Sequence, residues 1–272
     1  FGVFKSYTFR ADPAAAGMLF GAGFDVVSIA NNHMTNLGDG APAATRRHLA
    51  AAGLHPVGAG ATMAEAYRPA VMDVRGLRIA FLAFTAITNG RRTLTPAGAI
   101  AHTGRRGLRR TAVRSIRAAR AAGADFVVVS VHWGVERAPH PARSQRVAAR
   151  AMIRAGADLV LGHHPHVVQD FERIGRGYVA YSLGNFLFSN RSATQRRSVV
   201  LRASLLGRGE SRRVGGVELV PIWSGADHVP RPAVGRRYRH WSRALARLAP
   251  RTPIAPAPAR TIARSPRPSI AP

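Results

Sequence analysis

The chain has 272 residues, 46% of them hydrophobic, no cysteine, and 40 basic against 13 acidic residues, for a formal net charge of +27. That length allows one sizeable core, the lack of cysteine excludes disulfides and thiolate metal sites, and no apolar run reaches the roughly 18 residues that a membrane-crossing helix needs. The charge invites a polyanionic partner, yet Lys5 is the sole lysine and the arginines spread over the whole chain, which biased codon usage would also give.

Alternating helical and short apolar stretches predict an α/β fold with mostly parallel pairing. Asp12 to Phe20 reads as a capped helix and Asp25 to Ala30 as a buried strand, followed by a loop rich in Asn and Gly. A helix near Ala43 to Ala52 precedes two strand-like runs, Ala70 to Val74 and Arg78 to Phe84, which the Arg75-Gly76 turn should close into a hairpin. Leu108 to Ala122 places Leu108, Val113 and Ile116 on one side of an Arg-rich amphipathic helix. Gly123 then leads into the apolar strand Asp125 to Val131; Arg143 to Ala155 is again helical, Gly156 stops it, and Asp158 to Leu161 is the next buried strand. These two helix-Gly-Ala-Asp-strand units predict neighbouring βαβ crossovers. Val167 to Ile174, Tyr178 to Leu183, Ser198 to Leu206 and Val217 to Trp223 read as antiparallel strands. Composition shifts near Pro230 towards Arg, Pro and Ala, so residues 1–229 are expected to form one domain. Residues 230–272 are then an Arg/Pro-rich, largely disordered tail with at most a short helix over His240 to Leu248.

Four polar segments directly follow buried strands, where the carboxyl ends of an open α/β sheet form the ligand crevice. They are Asn31-Asn32-His33, His132-Trp133-Gly134, Gly162-His163-His164-Pro165-His166 and Ser182-Leu183-Gly184-Asn185-Phe186. Neutral imidazoles are good ligands for Zn, Mn or Fe, and His164 and His166 have the His-x-His spacing that one ion, or two adjacent ions, can use. Taken singly, each residue has a plainer explanation: Asn32 and Asn185 as turn residues, His132 as a core histidine bonded to backbone. His163 should point opposite to His164 and His166 if the segment stays extended. Glu136 is either an orienter of an imidazole N–H or a surface carboxylate paired with Arg137. His102, His140, His228 and His240 read as solvated.

In order and spacing, FRADP (9–13), DVVSIANNH (25–33), GAG (58–60), HWGVE (132–136), GADLVLGHHPHVVQ (156–169) and YSLGNFLF (181–188) resemble the signature blocks of the CapA, or poly-γ-glutamate capsule-synthesis, family. The likeness runs from about Tyr7 to Trp223. It implies a metallophosphoesterase-like two-sheet α/β sandwich with mixed sheets, a metal centre at the strand ends, and work on capsule or envelope polymer. By position, Asn32, His132, His164 and His166 resemble metal ligands for two divalent transition ions, Mn, Zn or Fe. His33 resembles the imidazole that helps bind or protonate the phosphoryl group. Asn31, Trp133, Glu136, His163 and Asn185 fall in the surrounding shell or substrate rim.

The family's first two blocks, which contribute Asp or Glu ligands, are not found after Phe1. The chain is therefore expected to belong to a longer protein whose first strands, and any envelope anchor, lie upstream. Asn32 and three imidazoles would leave a two-ion site short of negative charge, so residues 1–272 alone are expected to bind metal weakly and to be inactive. Position 137 is Arg where the family usually has an aromatic residue. Two functions follow: a metal-dependent phosphoesterase-like hydrolase, and a non-catalytic factor that binds the anionic polymer or assembles with capsule-synthesis membrane proteins at the cell envelope. The Arg-rich tail suits the second. No recognition helix, aromatic platform or nucleic-acid module appears, so nucleic acid is not the expected partner.

Overall fold

The computed structural model describes residues 7–89, 93–189 and 192–257. In chain order, α1 (Ala15–Gly21), β1 (Val26–Ser28), α2 (Ala41–Ala51), β2 (His55–Val57) and β3 (Ala59–Gly60) come first. Next, α3 (Met63–Tyr67) leads to the hairpin of β4 (Ala70–Val74) and β5 (Leu77–Thr85), closed at Arg75-Gly76 as the sequence predicts. After β6 (Leu94–Thr95) and β7 (Gly98–Ile100) come α4 (Gly104–Ala121), β8 (Phe126–His132), α5 (Arg143–Arg154) and β9 (Leu159–His163). The described residues close with β10 (Phe171–Ile174), β11 (Gly177–Ala180), β12 (Arg197–Leu206), β13 (Arg213–Ser224), β14 (Pro230–Pro232) and α6 (Gly235–Leu248).

A six-stranded mixed sheet in the order β10-β11-β9-β8-β5-β4 forms the centre. Its strands β5, β8, β9 and β11 run parallel, with α4 and α5 as the two crossovers that the repeated Gly-Ala-Asp units predict. Each aspartate of those units fastens one strand to the next. Asp125 accepts the Arg78 amide N–H at 2.8 Å near the start of β5, and buried Asp158 accepts the Val127 N–H at 2.7 Å near the start of β8. Arg120 ties both units together, pairing with Asp158 and donating to the carbonyls of Ala124, Asp125 and Gly156. Burial raises the pKa of Asp158, while the Val127 amide and the guanidiniums of Arg120 and Arg212 pull it back.

Period-two alternation sends successive residues of these strands to opposite faces. On one face Leu82, Phe84, Val127, Val129 and Val160 meet Leu108, Ala112 and Ile116 of α4 and Ala149 and Met152 of α5. Val113, expected in the α4 stripe, lies half-buried at its margin. On the other face Ile79, Phe126, Leu159 and Tyr178 pack against Val199, Val217 and Leu219 of the antiparallel β12-β13-β14 sheet and against Trp241 and Leu245 of α6. This is the expected α/β sandwich of two main sheets; the two-stranded β1-β2 and three-stranded β3-β7-β6 sheets are additions to it.

The expected disordered tail is not found over residues 230–257. There, β14 pairs with β13, α6 buries Trp241 and Leu245, and the Ala255 N–H bonds to the Leu219 carbonyl at 2.9 Å. The Trp241 indole donates to the Ser198 carbonyl 43 residues upstream. The Arg197 guanidinium lies 5.7 Å from the Trp241 ring and 6.0 Å from the Trp223 ring, and Arg237 lies 5.4 Å from Trp223. Guanidinium–indole contact makes Arg237, which reads as part of a solvated tail, a partner of the packed Trp223 alongside Arg197. The boundary expected at residue 230 therefore cuts through a sheet, while residues 258–272 of the expected tail lie outside the described residues.

The strand expected over Asp25 to Ala30 is buried only at its end, at Ile29 and Ala30. Among the described residues β1 pairs with β2 alone; Val26 and Val27 are half-buried and Ser28 is exposed. A cavity of about 710 Å³ lies between those valines and Phe81, Val128 and Leu161 of the central sheet, and it runs to the strand-end histidines.

Candidate metal centre

The four polar segments come to one end of the sheet. His132 and His163 end β8 and β9 and are register partners. Gly162 is what lets these strands approach: a Cβ there would stand 2.0 Å from the Tyr181 carbonyl oxygen and 2.6 Å from Trp133 Nε1. Past β9 the backbone turns left-handed, with φ of 96° at His164 and 60° at His166, and Arg137 on the facing loop has φ of 61°. Non-glycine residues held there cost on the order of 1–3 kcal/mol each, so the surroundings must fix them. Two backbone bonds do so, from the Trp133 N–H to the His163 carbonyl at 3.0 Å and from the Arg137 N–H to the Pro165 carbonyl at 2.7 Å.

These turns bring Glu136, His164 and His166 together, with one ligand atom from each lying within 4.8 Å of the others. His166 Nδ1 donates to Asn185 Oδ1 at 2.8 Å. A carbonyl oxygen only accepts, so the proton is on Nδ1 and Nε2 keeps its lone pair. His132 stands beside this group, its ring centroid 4.9 Å from that of His164. Its Nε2 is 2.9 Å from Asn32 Oδ1, and Asn32 Nδ2 donates to Asn89 Oδ1 at 2.9 Å, which fixes the amide with its oxygen towards His132. Burial, and then the neighbouring imidazoles of His164, His163, His166 and His33, push the pKa of His132 well below its ordinary value; burial holds His163 down to about 4. Both shifts favour the neutral form of His132 and His163.

His33 closes the far wall. Its Nδ1 donates to Asn36 Oδ1 at 2.9 Å, its backbone N–H donates to Asn31 Oδ1 at 2.8 Å, and the Phe9 ring meets its edge at 4.5 Å. A pocket lined by Tyr7, Phe9, His33, Glu136, His166 and Phe188, with Arg137 at its rim, joins it to the cluster. The Glu136 carboxylate and the imidazoles of His164 and His166 form a mixed N/O donor set that suits Zn, Mn or Fe(II), so these residues fit a divalent transition ion.

The bacterial capsule synthesis protein PGA_cap family matches residues 2–190, which hold every residue of this cluster. The chain belongs to that family. Among PGA_cap relatives, the capsule biosynthesis protein CapA of Bacillus anthracis is 35% identical over 195 residues, 69% of this chain and 46% of that protein. The PGA biosynthesis protein CapA of Bacillus subtilis (strain 168) is 34% identical over 203 residues, 73% of this chain and 50% of that protein. The chain thus spans about half the length of the curated relatives it matches. Among solved structures it is similar to the sulfate thiohydrolase SoxB of "Termus thermophilus" at 14% identity and a TM-score of 0.49, over 86% of this chain and 39% of that one.

Within the PGA_cap segment the structure refines the expectations for Trp133, His163, Glu136 and His102. Trp133 is not at the rim: it is 1% exposed, its indole donates to the Tyr181 carbonyl at 3.0 Å, and it stacks on the Tyr181 ring. His163 does not point away from His166; both line the cavity that His132 also lines, because the left-handed turn at His164 breaks the alternation of an extended chain. Glu136 makes no ion pair with Arg137 among the described residues; its carboxylate lies within 4.8 Å of ring nitrogens of both His164 and His166, within reach as an orienter or as a ligand. A carboxylate therefore stands beside the imidazoles, where the sequence predicts none as a ligand. His102, read as solvated, is half-buried and accepts the Gly104 N–H on Nε2 at 3.2 Å.

Several contributors were not singled out from sequence. Phe9 and Phe188, which face each other at 5.7 Å over the pocket, sit inside the FRADP and YSLGNFLF blocks and were legible there as aromatic residues beside ligand candidates. Asn89 and Asn36 carry no local signal; they matter only through the side chains that the fold brings to them.

Proposed function

We propose that this PGA_cap chain is the metal-binding part of a capsule-polymer synthesis protein at the cell envelope, with a phosphoesterase-like site of the metallophosphoesterase type. The observation that carries the reading is the convergence of Glu136, His164 and His166, two of which, Glu136 and His166, line one pocket together with His33. Glu136 with His164 and His166 supports one ion; Asn32 and His132, bonded to each other beside that group, would have to give up their mutual bond to hold a second. Such an ion would supply Lewis acidity at a phosphoryl oxygen. The chain's own residues supply the rest. Asn185 and Asn89 hold the donors in orientation, and Phe9 and Phe188 shield the pocket from water. His33, its Nδ1–H committed to Asn36, presents an Nε2 lone pair that can accept a hydrogen bond from the substrate; once that nitrogen has taken up a proton it could pass it to the leaving group.

The test is turnover of bis(p-nitrophenyl) phosphate by the chain loaded with Mn, Zn or Fe(II). His33→Ala should lower kcat by about 10²–10⁴ with metal content retained. Metal bound at full occupancy with no turnover of any phosphoester would favour the second reading, a non-catalytic factor that binds polymer or assembles with the membrane-bound synthesis machinery. Uncompensated arginine on the helix-covered side favours that reading.

A further inference from the structure

α4 and α5 pack side by side over the central sheet, and a groove of about 590 Å³ runs between them on the outer side. Val113, Ala151 and Ala155 line it as small apolar residues, and the side chains of Arg109, Arg110, Arg114, Arg117 and Arg154 stand around them. All five arginines are exposed, and none pairs with a carboxylate or donates a hydrogen bond to another of the described residues. The α4 sequence GRRGLRRTAVRSIRAARA holds seven arginines and no acid. A merely solvated helix face usually mixes the two signs, because like charges three or four residues apart repel. Arg110, Arg114 and Arg117 follow one another at about 6 and 4.5 Å along the helix axis, so they present guanidiniums in a row. Elsewhere the protein does compensate its arginines: Arg146 and Arg150 of the same α5 pair with Asp170 and Glu172.

We propose that the α4–α5 groove is a binding track for an extended polycarboxylate chain, separate from the metal centre. The choice of a polycarboxylate rests in part on the capsule-polymer reading above. The groove itself supports it: guanidinium pairs with carboxylate in a planar, two-bonded fork, and the narrow apolar floor suits an unbranched backbone. No aromatic side chain lines the groove among the described residues, so a nucleic acid would find no stacking platform.

The experiment measures binding of the 272-residue chain to fluorescent poly-γ-glutamate, with single-stranded oligothymidine as the second probe, at low and physiological salt. R110Q/R114Q/R117Q is compared with R236Q/R239Q/R243Q, which removes the same charge from exposed positions of α6. Thermal melting of both variants checks the fold; the first should melt no lower than the parent, because it relieves repulsion. The proposal expects salt-sensitive polyglutamate binding that the α4 variant weakens about tenfold or more and the α6 variant leaves within about twofold. Equal weakening by both would mean that bulk charge alone attracts the polymer, and tighter, α4-dependent binding of oligothymidine would give the groove to nucleic acid; either overturns the proposal. Adding H132A/H166A separates the two sites. Loss of metal with polymer binding intact keeps this inference even if the enzyme reading fails, and loss of polymer binding together with the metal assigns the polymer to the metal pocket instead and overturns it.

Discussion

The helix-covered face of the central sheet and its carboxyl end are built from the same strands and finished in opposite ways. Under α4 and α5, Val127, Val129, Val160, Ile116 and Met152 are fully buried and wholly apolar. Three residues further along, β8 and β9 run out into His132 and His163, three left-handed non-glycine residues and a cavity of about 710 Å³. Close packing stabilises; cavities, buried polar groups and strained φ do not. The strand ends are held in shape by what packs behind them, and that division of labour is what function requires of a site that must present ligand atoms to an empty space.

The comparison breaks most readily at Trp133, which touches both regions. Trp133→Ala should cost about 3–5 kcal/mol in urea unfolding, since it removes a fully buried indole and its bond to the Tyr181 carbonyl. A cost under about 1 kcal/mol would mean that the strand ends stand without the core. Leu245→Ala sharpens the same contrast on the far face, with about 2–5 kcal/mol expected because α6 is part of the packing rather than a tail. His166→Gly is the smallest effect. Glycine adopts the φ of 60° at that position without strain, so stability should stay within about 1 kcal/mol of the parent while a metal ligand is lost.

The same division explains what was legible in the sequence. Repeated Gly-Ala-Asp units before apolar runs report local events, a helix stop and a strand start, and the parallel crossovers follow from them. Asn32, His132, His164 and His166 were legible because strand ends in such sheets are where ligands collect. Of α6 only the stretch His240 to Leu248 was legible, and as an isolated helix; its packing was not, because its apolar residues are thinly spaced among arginines and their partners, Ser198 and Arg197, are far away in the chain. Nor was the part played by Glu136. Its position depends on Gly134, with φ of 92°, and on the Arg137–Pro165 bond, neither of which a strand or helix period encodes.

The central claim is that Glu136, His164 and His166 bind a divalent ion, and the most direct measurement is metal content by plasma mass spectrometry after equilibration with Mn, Zn or Fe(II) and buffer exchange. The account predicts at least one tightly held equivalent in the parent chain, lost in both Glu136→Gln and His166→Ala with the circular dichroism spectrum unchanged. Metal retained at full stoichiometry in Glu136→Gln, or no metal in the folded parent, would contradict it.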